Sequence, residues 1–383
     1  MQFVVKKILR TTREELDNIG FDAGYISKGC EKHNFLSLKI FNLKPQQASI
    51  LKQTALSLGT DCAVHRHVID CRAELSDVIL SGSITELRRI ADKLRSQPFS
   101  LSKLAEEIER QIEIFSKDLS LPKIMGILNL TEDSFSDGGE CVKLEDALKK
   151  ADLLINEGAQ IIDIGAESTR PNAKPVDPER EAELILPAVK ALKEKYPSIE
   201  LSVDTRNAST AQRVIDAGAD IINDVSGFEW DEKIIDVVLR SNAKYVLMHS
   251  RGTPETMDEH CNYGNVADEV YKELGAKLEM LLNKGYKLEN IIIDPGFGFA
   301  KNPEQNLKLL KHIEEFKSFG CELLVGTSRK RFLAPFTLDE NPKCRDGATA
   351  ITSFYAALKG VDIIRVHNAA QTKSAIDLAY SLL

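Results

Sequence analysis

From about residue 123 onward, short apolar runs alternate with longer stretches whose apolar residues recur at helical spacing. The runs are Ile124–Asn129, Gln160–Ile164, Glu200–Asp204, Asp220–Asn223, Lys244–His249, Asn290–Asp294, Glu322–Thr327 and Asp362–His367. Runs that are apolar throughout predict strands buried on both faces, the environment of a parallel sheet. Between them LEDALKKADLLINEG, VADEVYKELGAKLEMLLNKG and ATAITSFYAALKG read as helices. Each closes on a glycine, which stops a helix by adopting a left-handed conformation. Eight strand–helix units within roughly 260 residues predict closure as a (β/α)8 TIM barrel. An open doubly wound sheet is the alternative, and it would normally carry fewer strands.

The chain before residue 119 follows another rhythm. FLSLKIFN, CAVHRHVID and DVILSG read as strands, and PQQASILKQTALSLG and ITELRRIADKLRSQ as helices. These predict a small α+β unit, with a ferredoxin-like arrangement as one form it could take. Ser102 to Phe115 continues as an amphipathic helix, with Leu104, Ile108 and Ile112 four apart. Pro122 then interrupts regular structure before the first barrel strand. The expected domains are therefore 1–118 and 119–383. His65 and His67 alternate along the second expected strand, but no third ligand stands at usable spacing, so ordinary half-buried histidines are the better reading.

Composition narrows the function classes. Of 383 residues, 43% are hydrophobic and 28% charged, values of an ordinary globular chain with a large core. The formal net charge is −8, which argues against nucleic-acid binding through an overall positive field. Residues 1–118 hold 18 basic and 16 acidic side chains and the remainder 32 and 42, so the excess of acid lies in the barrel portion. The seven cysteines include no C-x-x-C pair, which fits scattered thiols in a reducing compartment rather than a disulfide framework. The first apolar run is too short for a signal peptide and no stretch approaches the ~18 apolar residues of a membrane span. The expectation is a soluble, cytoplasmic protein.

Candidate chemistry gathers at the carboxyl ends of the expected strands, where a barrel carries its active site. Asn129, Glu167 to Arg170, Asp204, Asn223, Asp224, Met248, His249, Asp294, Ser328 to Lys330, Arg365 and His367 all stand there. Isolated Asn and Asp residues commonly start loops, but a polar crown this complete is better explained by a site. Arg365 and His367 flank Val366 and so point the same way from their strand. Beside the basic run Ser328-Arg329-Lys330-Arg331, they favour an anion site over a surface ion pair. Asp204 and Asp294 end apolar strands, where ionised carboxylates require donors such as a guanidine-like heterocycle edge supplies. Asn223 could add both a donor and an acceptor. Structural caps or pairs with Lys330 or Arg365 are the alternative. Phe297 and Phe299 of DPGFGF could wall an aromatic ligand or simply pack.

In sequence order, IMGILNLTEDSFSDGG, GAQIIDIGAESTRP, SVDT, DIINDVSG, LMHSRGTPETM, IIIDPGFGF, GTSRKRFL and DIIRVH together resemble the dihydropteroate synthases over residues 122–383. The resemblance implies a pterin-binding barrel that condenses 6-hydroxymethyl-7,8-dihydropterin diphosphate with 4-aminobenzoate to give 7,8-dihydropteroate and diphosphate. It implies that Asp204, Asn223, Met248, Asp294 and Lys330 hold the pterin. Asn129 would meet Mg²⁺ and the diphosphate, with Thr169, Arg365 and His367 on its phosphates. Asp133 would stabilise developing positive charge, making it, Lys330, Arg365 and His367 the catalytic group. Phe135, Arg170, Phe299 and Arg331 would border 4-aminobenzoate and its sulfonamide mimics. Glu132, Asn172, Arg331 and Asn368 replace the family's common Pro, Gly, Ser and Asp. Only Arg331 touches an assigned function. A pterin-dependent methyltransferase and a non-catalytic pterin binder share this barrel, but neither explains SRK and RVH. Monomer and homodimer both stay open.

Overall fold

The computed structural model describes residues 3–8, 12–130, 140–166, 177–253, 256–339 and 341–382, with side chains from residue 144 in the helix that begins at Glu140. The chain divides into two compact units, Met1–Asp118 and Leu119–Leu383.

The amino-terminal unit runs through α1 (Arg13–Asn18), α2 (Ile26–His33), β1 (Phe35–Leu43), α3 (Pro45–Ser57), β2 (Asp61–Ala63), β3 (Ser76–Ser83), α4 (Ile84–Leu94) and α5 (Leu101–Phe115). Its antiparallel sheet has the order β1-β3-β2. Leu38 faces Leu80 and Ile40 faces Val78 across the strands. That side of the sheet packs with Leu51, Leu87, Ile90 and Ile108 into one apolar core. Ser83 and Glu86 start α4 with reciprocal side-chain-to-backbone bonds, a capping box. From β1 to α4 the order matches the first five elements of a ferredoxin-like β-α-β-β-α-β unit. The sixth element is the helix α5, so the sheet stops at three strands. The expected helix at 102–115 is present, and its buried Leu101, Ala105, Ile108 and Ile112 show the helical period that rules out a strand.

Two expectations fail in this unit. The strand expected over CAVHRHVID covers only Asp61–Ala63. The chain then turns, with Cys71 in the left-handed region, so His65 and His67 do not alternate on a strand. His67 Nδ1 instead lies 3.3 Å from Asp70 Oδ2, a local pair at the surface. The short helices α1 and α2 were not anticipated, because six and eight residues hold too few turns to display a period.

The second unit is a closed parallel barrel of eight strands. In chain order these are β4 (Lys123–Asn129), β5 (Ile161–Gly165), β6 (Glu200–Asp204), β7 (Ile221–Asp224), β8 (Lys244–Met248), β9 (Ile291–Asp294), β10 (Glu322–Val325) and β11 (Ile363–Val366). The helices between and after them are α6 (Glu140–Asn156), α7 (Pro178–Lys195), α8 (Ala208–Asp216), α9 (Lys233–Arg240), α10 (Val266–Asn283), α11 (Pro303–Lys311), α12 (Asp346–Leu358) and α13 (Ala369–Tyr380). Closure is made by β11, which pairs with β4 from Ile363–Lys123 to Val366–Gly126.

Period two along each strand sends one set of side chains outward and one inward. Outward residues such as Ile124, Leu128, Val203, Leu247, Leu323 and Ile364 join the helices in the main core. Inward, Met125, Ile161, Ile221, Val246, Ile292, Leu324 and Ile363 plug the barrel. A strand with apolar residues on both faces therefore reads as a continuous run, which is why the strand positions were visible in the sequence. α7 and α11 start at side-chain caps, Asp177 and Asn302, each followed by proline at the first helical position. Among the described residues no helix is long and apolar enough to cross a membrane.

Candidate active site

Two residues beyond the plug, the same inward period places Asp163, Asn223, Met248, Asp294 and Arg365 inside the barrel. Asp204 ends β6, two residues past the fully buried Ser202. Arg365 joins these groups. Its Nε donates to Asp163 Oδ2 at 2.6 Å and its Nη2 to Asp204 Oδ2 at 2.7 Å. Asp163 also accepts from Ser202 Oγ at 2.6 Å and Asn223 Nδ2 at 3.1 Å. Burial works against the guanidinium charge, but Asp163 and Asp204 outweigh it and raise the Arg365 pKa. In this state the expected phosphate-binding arginine is held by two carboxylates.

Asp294 is buried, and burial raises its carboxyl pKa against the pull of the nearby Lys330 and a bond from the Gly296 N–H at 2.7 Å. The turn after it, DPGFGF, divides its two aromatic residues. Phe297 points outward and stacks on Phe332, 6.2 Å between ring centres, so it packs rather than lining a ligand site. Phe299 groups with Met248, Met257 and Ala300. Lys330 Nζ sits 4.6 Å from the Phe299 ring centre and donates to the Phe297 carbonyl. Burial pushes the Lys330 ammonium down to about 8, with Asp294 opposing. The turn requires its glycines. Gly296 and Gly298 have φ of +71° and +75°, and a Cβ would meet His249 O at 1.9 Å or Lys330 Cδ at 2.8 Å respectively.

A cluster of two inward acids, an amide, a thioether, an aromatic ring and two cations has the chemistry to bind a flat polar heterocycle by its edge and pack against its faces. The comparisons with known proteins agree. The family model described as pterin binding enzyme matches residues 125–367. A dihydropteroate synthase from Synechocystis is 42% identical over 245 residues, covering 64% of this chain and 84% of that one. The chain belongs to the dihydropteroate synthase family of pterin-binding enzymes.

Two further relatives place limits on that membership. A probable bifunctional folylpolyglutamate synthase/dihydropteroate synthase from Haloferax volcanii is 33% identical over 356 residues, 87% of this chain and 42% of that protein. The chain thus spans less than half of that relative, while the match runs beyond the length of the barrel unit and into the amino-terminal unit. A solved dihydropteroate synthase of Xanthomonas albilineans with 4-aminobenzoic acid superposes with a TM-score of 0.64 at 34% identity, covering 68% of this chain and 93% of that one.

The remaining family positions fall into three groups. Asn129 ends β4 at the barrel mouth. His367 lies just beyond β11, its Nδ1 2.9 Å from Ser328 Oγ. Burial, then Arg329 and Arg365, push the His367 pKa down to about 3. The expected pair of cations is therefore one guanidinium and one neutral imidazole. Arg329 is bound through both Nε and Nη2 to Asp346, at 2.6 and 2.8 Å, and adopts a left-handed φ of +58°. Arg331 is exposed at the start of a short 3₁₀ turn, Arg331–Phe336. Asp133, Phe135, Thr169 and Arg170, with Glu132 and Asn172, lie outside the described residues.

Three polar groups near the site escaped the sequence reading. Asp163 stands alone in the apolar run QIIDIG, and a charged residue at an inward position of a buried strand was the signal available. Lys301 is buried, with Nζ 3.0 Å from His249 Nδ1, 2.9 Å from Gly296 O and 3.0 Å from Phe299 O. Burial lowers its pKa to about 7 and that of His249 to about 3. Nδ1 of a neutral His249 then accepts from Lys301, leaving Nε2–H to donate to Glu273 Oε2 at 2.9 Å. The amine thereby ties both ends of the glycine turn to β8. Nothing in a linear sequence links Glu273 to His249.

Proposed function

We propose that the barrel unit is a dihydropteroate synthase acting on 6-hydroxymethyl-7,8-dihydropterin diphosphate and 4-aminobenzoate. The observation that carries this reading is the inward group Asp204, Asn223, Asp294, Lys330 and Arg365, gathered at one barrel mouth in a chain of this family. Asp204 and Asp294 would accept from the amino-pyrimidinone edge, Asn223 would complete it, and Met248 and Phe299 would pack on its rings. Lys330, positively charged below about pH 8, would balance the acids. In the reaction the aminobenzoate nitrogen bonds to the pterin methylene carbon. The carbon–oxygen bond to diphosphate breaks with its electron pair leaving on oxygen, and the amine proton passes to solvent. The nitrogen is already nucleophilic, so the residues mainly orient and stabilise charge. His367, as a neutral imidazole, would donate a hydrogen bond to a phosphate oxygen, and Arg365 would contribute charge. Asp133, Thr169, Phe135, Arg170 and Arg331 are proposed for the rim by family position alone.

Among the described residues no group of three or more His, Cys, Asp or Glu converges to cage a metal ion. Magnesium is commonly held by one or two protein oxygens together with substrate phosphates and water. The amide oxygen of Asn129 fits that mode, so Mg²⁺ would come with the diphosphate and be held by Asn129. Bound there, it would neutralise charge on the leaving group. A cytoplasmic setting is proposed with the function. Aromatic sulfonamides shaped like 4-aminobenzoate should compete with it.

The test is diphosphate release by the full chain, with and without 4-aminobenzoate, followed from pH 6 to 10. Release should require both substrates, and kcat/KM should fall about tenfold per pH unit once Lys330 deprotonates above about pH 8. Release independent of 4-aminobenzoate would point to hydrolysis and reject the synthase reading.

A further inference from the structure

We propose that Asp163 is the positioning residue that fixes Arg365 and Asn223 while Asp204 exchanges its guanidinium partner for the pterin edge, an inference that rests on the pterin-site reading above. Asp163 is wholly buried in the middle of β5, where an ionised carboxylate persists only with strong donors. It has three, each from a different strand: Ser202 of β6, Asn223 of β7 and Arg365 of β11. Asp204 accepts from a different nitrogen of the same guanidinium, Nη2, and lies nearer the mouth, its side chain 12% exposed where Asp163 is closed to solvent.

The two acids therefore have different work. A heterocycle entering from the mouth presents N–H donors that compete with Arg365 Nη2 for Asp204. If Asp204 alone held Arg365, ligand entry would release the side chain as it is needed. Asp163 holds Arg365 through Nε, a separate nitrogen, so exchange at Asp204 leaves the arginine tethered. The same Asp163 oxygen also receives the Asn223 amide, so both ligand-facing groups share one fixed point. Ser202 takes the other oxygen and fixes the carboxylate plane.

The deciding measurement is the Arg365 Nε–H signal in ¹⁵N spectra of the full chain. In Asp204→Asn it should stay protected from solvent exchange. In Asp163→Asn it should exchange rapidly. Loss of protection in Asp204→Asn overturns the anchor, and this arm holds even if Asp163→Asn does not fold. Where Asp163→Asn folds, calorimetry with 6-hydroxymethylpterin should show about tenfold or greater weakening, the scale of a lost charge-assisted bond. The 4-aminobenzoate KM at saturating pterin diphosphate should change by less than about twofold. Asp163→Glu should recover part of the pterin affinity. Equal loss for both ligands, in step with the unfolded fraction, would reduce Asp163 to a structural role and overturn the proposal. If the unaltered chain gives no diphosphate release while Arg365 stays protected in Asp204→Asn, the substrate reading fails and the anchor stands.

Discussion

Among the described residues, the buried polar side chains of the amino-terminal unit are Thr54, Ser76, Ser83 and Gln111, all neutral, whereas the barrel unit also buries Asp163, Glu181, Arg206, Asp224, Asp294, Lys301 and Arg345. Removing a charge from water is costly unless it is paired and hydrogen-bonded. The barrel meets that cost in two ways. Glu181, receiving Thr205 and Asn207, and Asp224, receiving Tyr245 and Ser226, fasten loops and strands. Asp163, Asp294 and Lys301 instead surround the mouth and bind Arg365, Gly296 and His249. Burial of charge alone does not mark the site. Convergence of such charges on the carboxyl ends of the strands does.

The largest effect should come from Arg365→Ala. It leaves Asp163 and Asp204 without their shared cation, and breaking a buried pair typically costs about 3–5 kcal/mol. Urea denaturation should show that loss, and diphosphate release should become undetectable. An unchanged urea midpoint would mean that the arginine is not paired in solution.

Leu80→Ala makes the opposite cut. Leu80 is fully buried in the amino-terminal sheet, and the cavity should cost about 2–5 kcal/mol. Diphosphate release per folded molecule should be unchanged if the chemistry belongs to the barrel. Activity falling further than the folded fraction would break the division between the units.

Acid should separate the units more gently. The pKa of His249 and His367 is pushed down to about 3, below about 6.5 in an unfolded chain. Between these values the unfolded chain binds protons that the folded barrel refuses. Their contribution is therefore full above about pH 6.5 and is lost as pH falls toward 3, by at most about 1.4 kcal/mol per pH unit for each histidine. Hydrogen exchange from pH 7 to 4 should show protection falling in β4–β11 before β1–β3. The reverse order would contradict the assignment.

The smallest effect is expected at the surface turn of the amino-terminal unit. Replacing His65 and His67 together by Ala removes a local contact to Asp70 and should move stability by less than about 0.5 kcal/mol. Turnover should not change. A tighter response to added zinc in the unaltered chain than in the double variant would revive the metal reading.

Most of the barrel could be read from one dimension because its strands are buried on both faces. An apolar run is the direct consequence, and the expected runs fall within one or two residues of β4–β11. The polar mouth was legible for a related reason, since Asn129, Asp204, Asn223 and Asp294 end such runs. In the amino-terminal unit the signal was weaker. A three-stranded sheet with one covered face has shorter runs, and CAVHRHVID alternated well enough to look like a strand while only Asp61–Ala63 pairs with β3. Phe297 and Phe299 carry the same residue in the same turn, and only the packed structure sends one outward and one to the mouth.

The sequence by itself determined which residues form the barrel strands, which of their ends bear polar groups and which family the pattern resembles, because all three follow from local order. Partnership was decided by the tertiary structure. Arg365 and Asp163 are 202 positions apart, yet they meet because β11 closes onto β4 and β4 pairs with β5. The protonation of His367 also depends on tertiary packing, since burial, then Arg329 from the turn after β10 and its near neighbour Arg365, keep its imidazole neutral. Charge state and hydrogen-bond pairing are set by distance and solvent access, and neither exists until the last strand returns to the first.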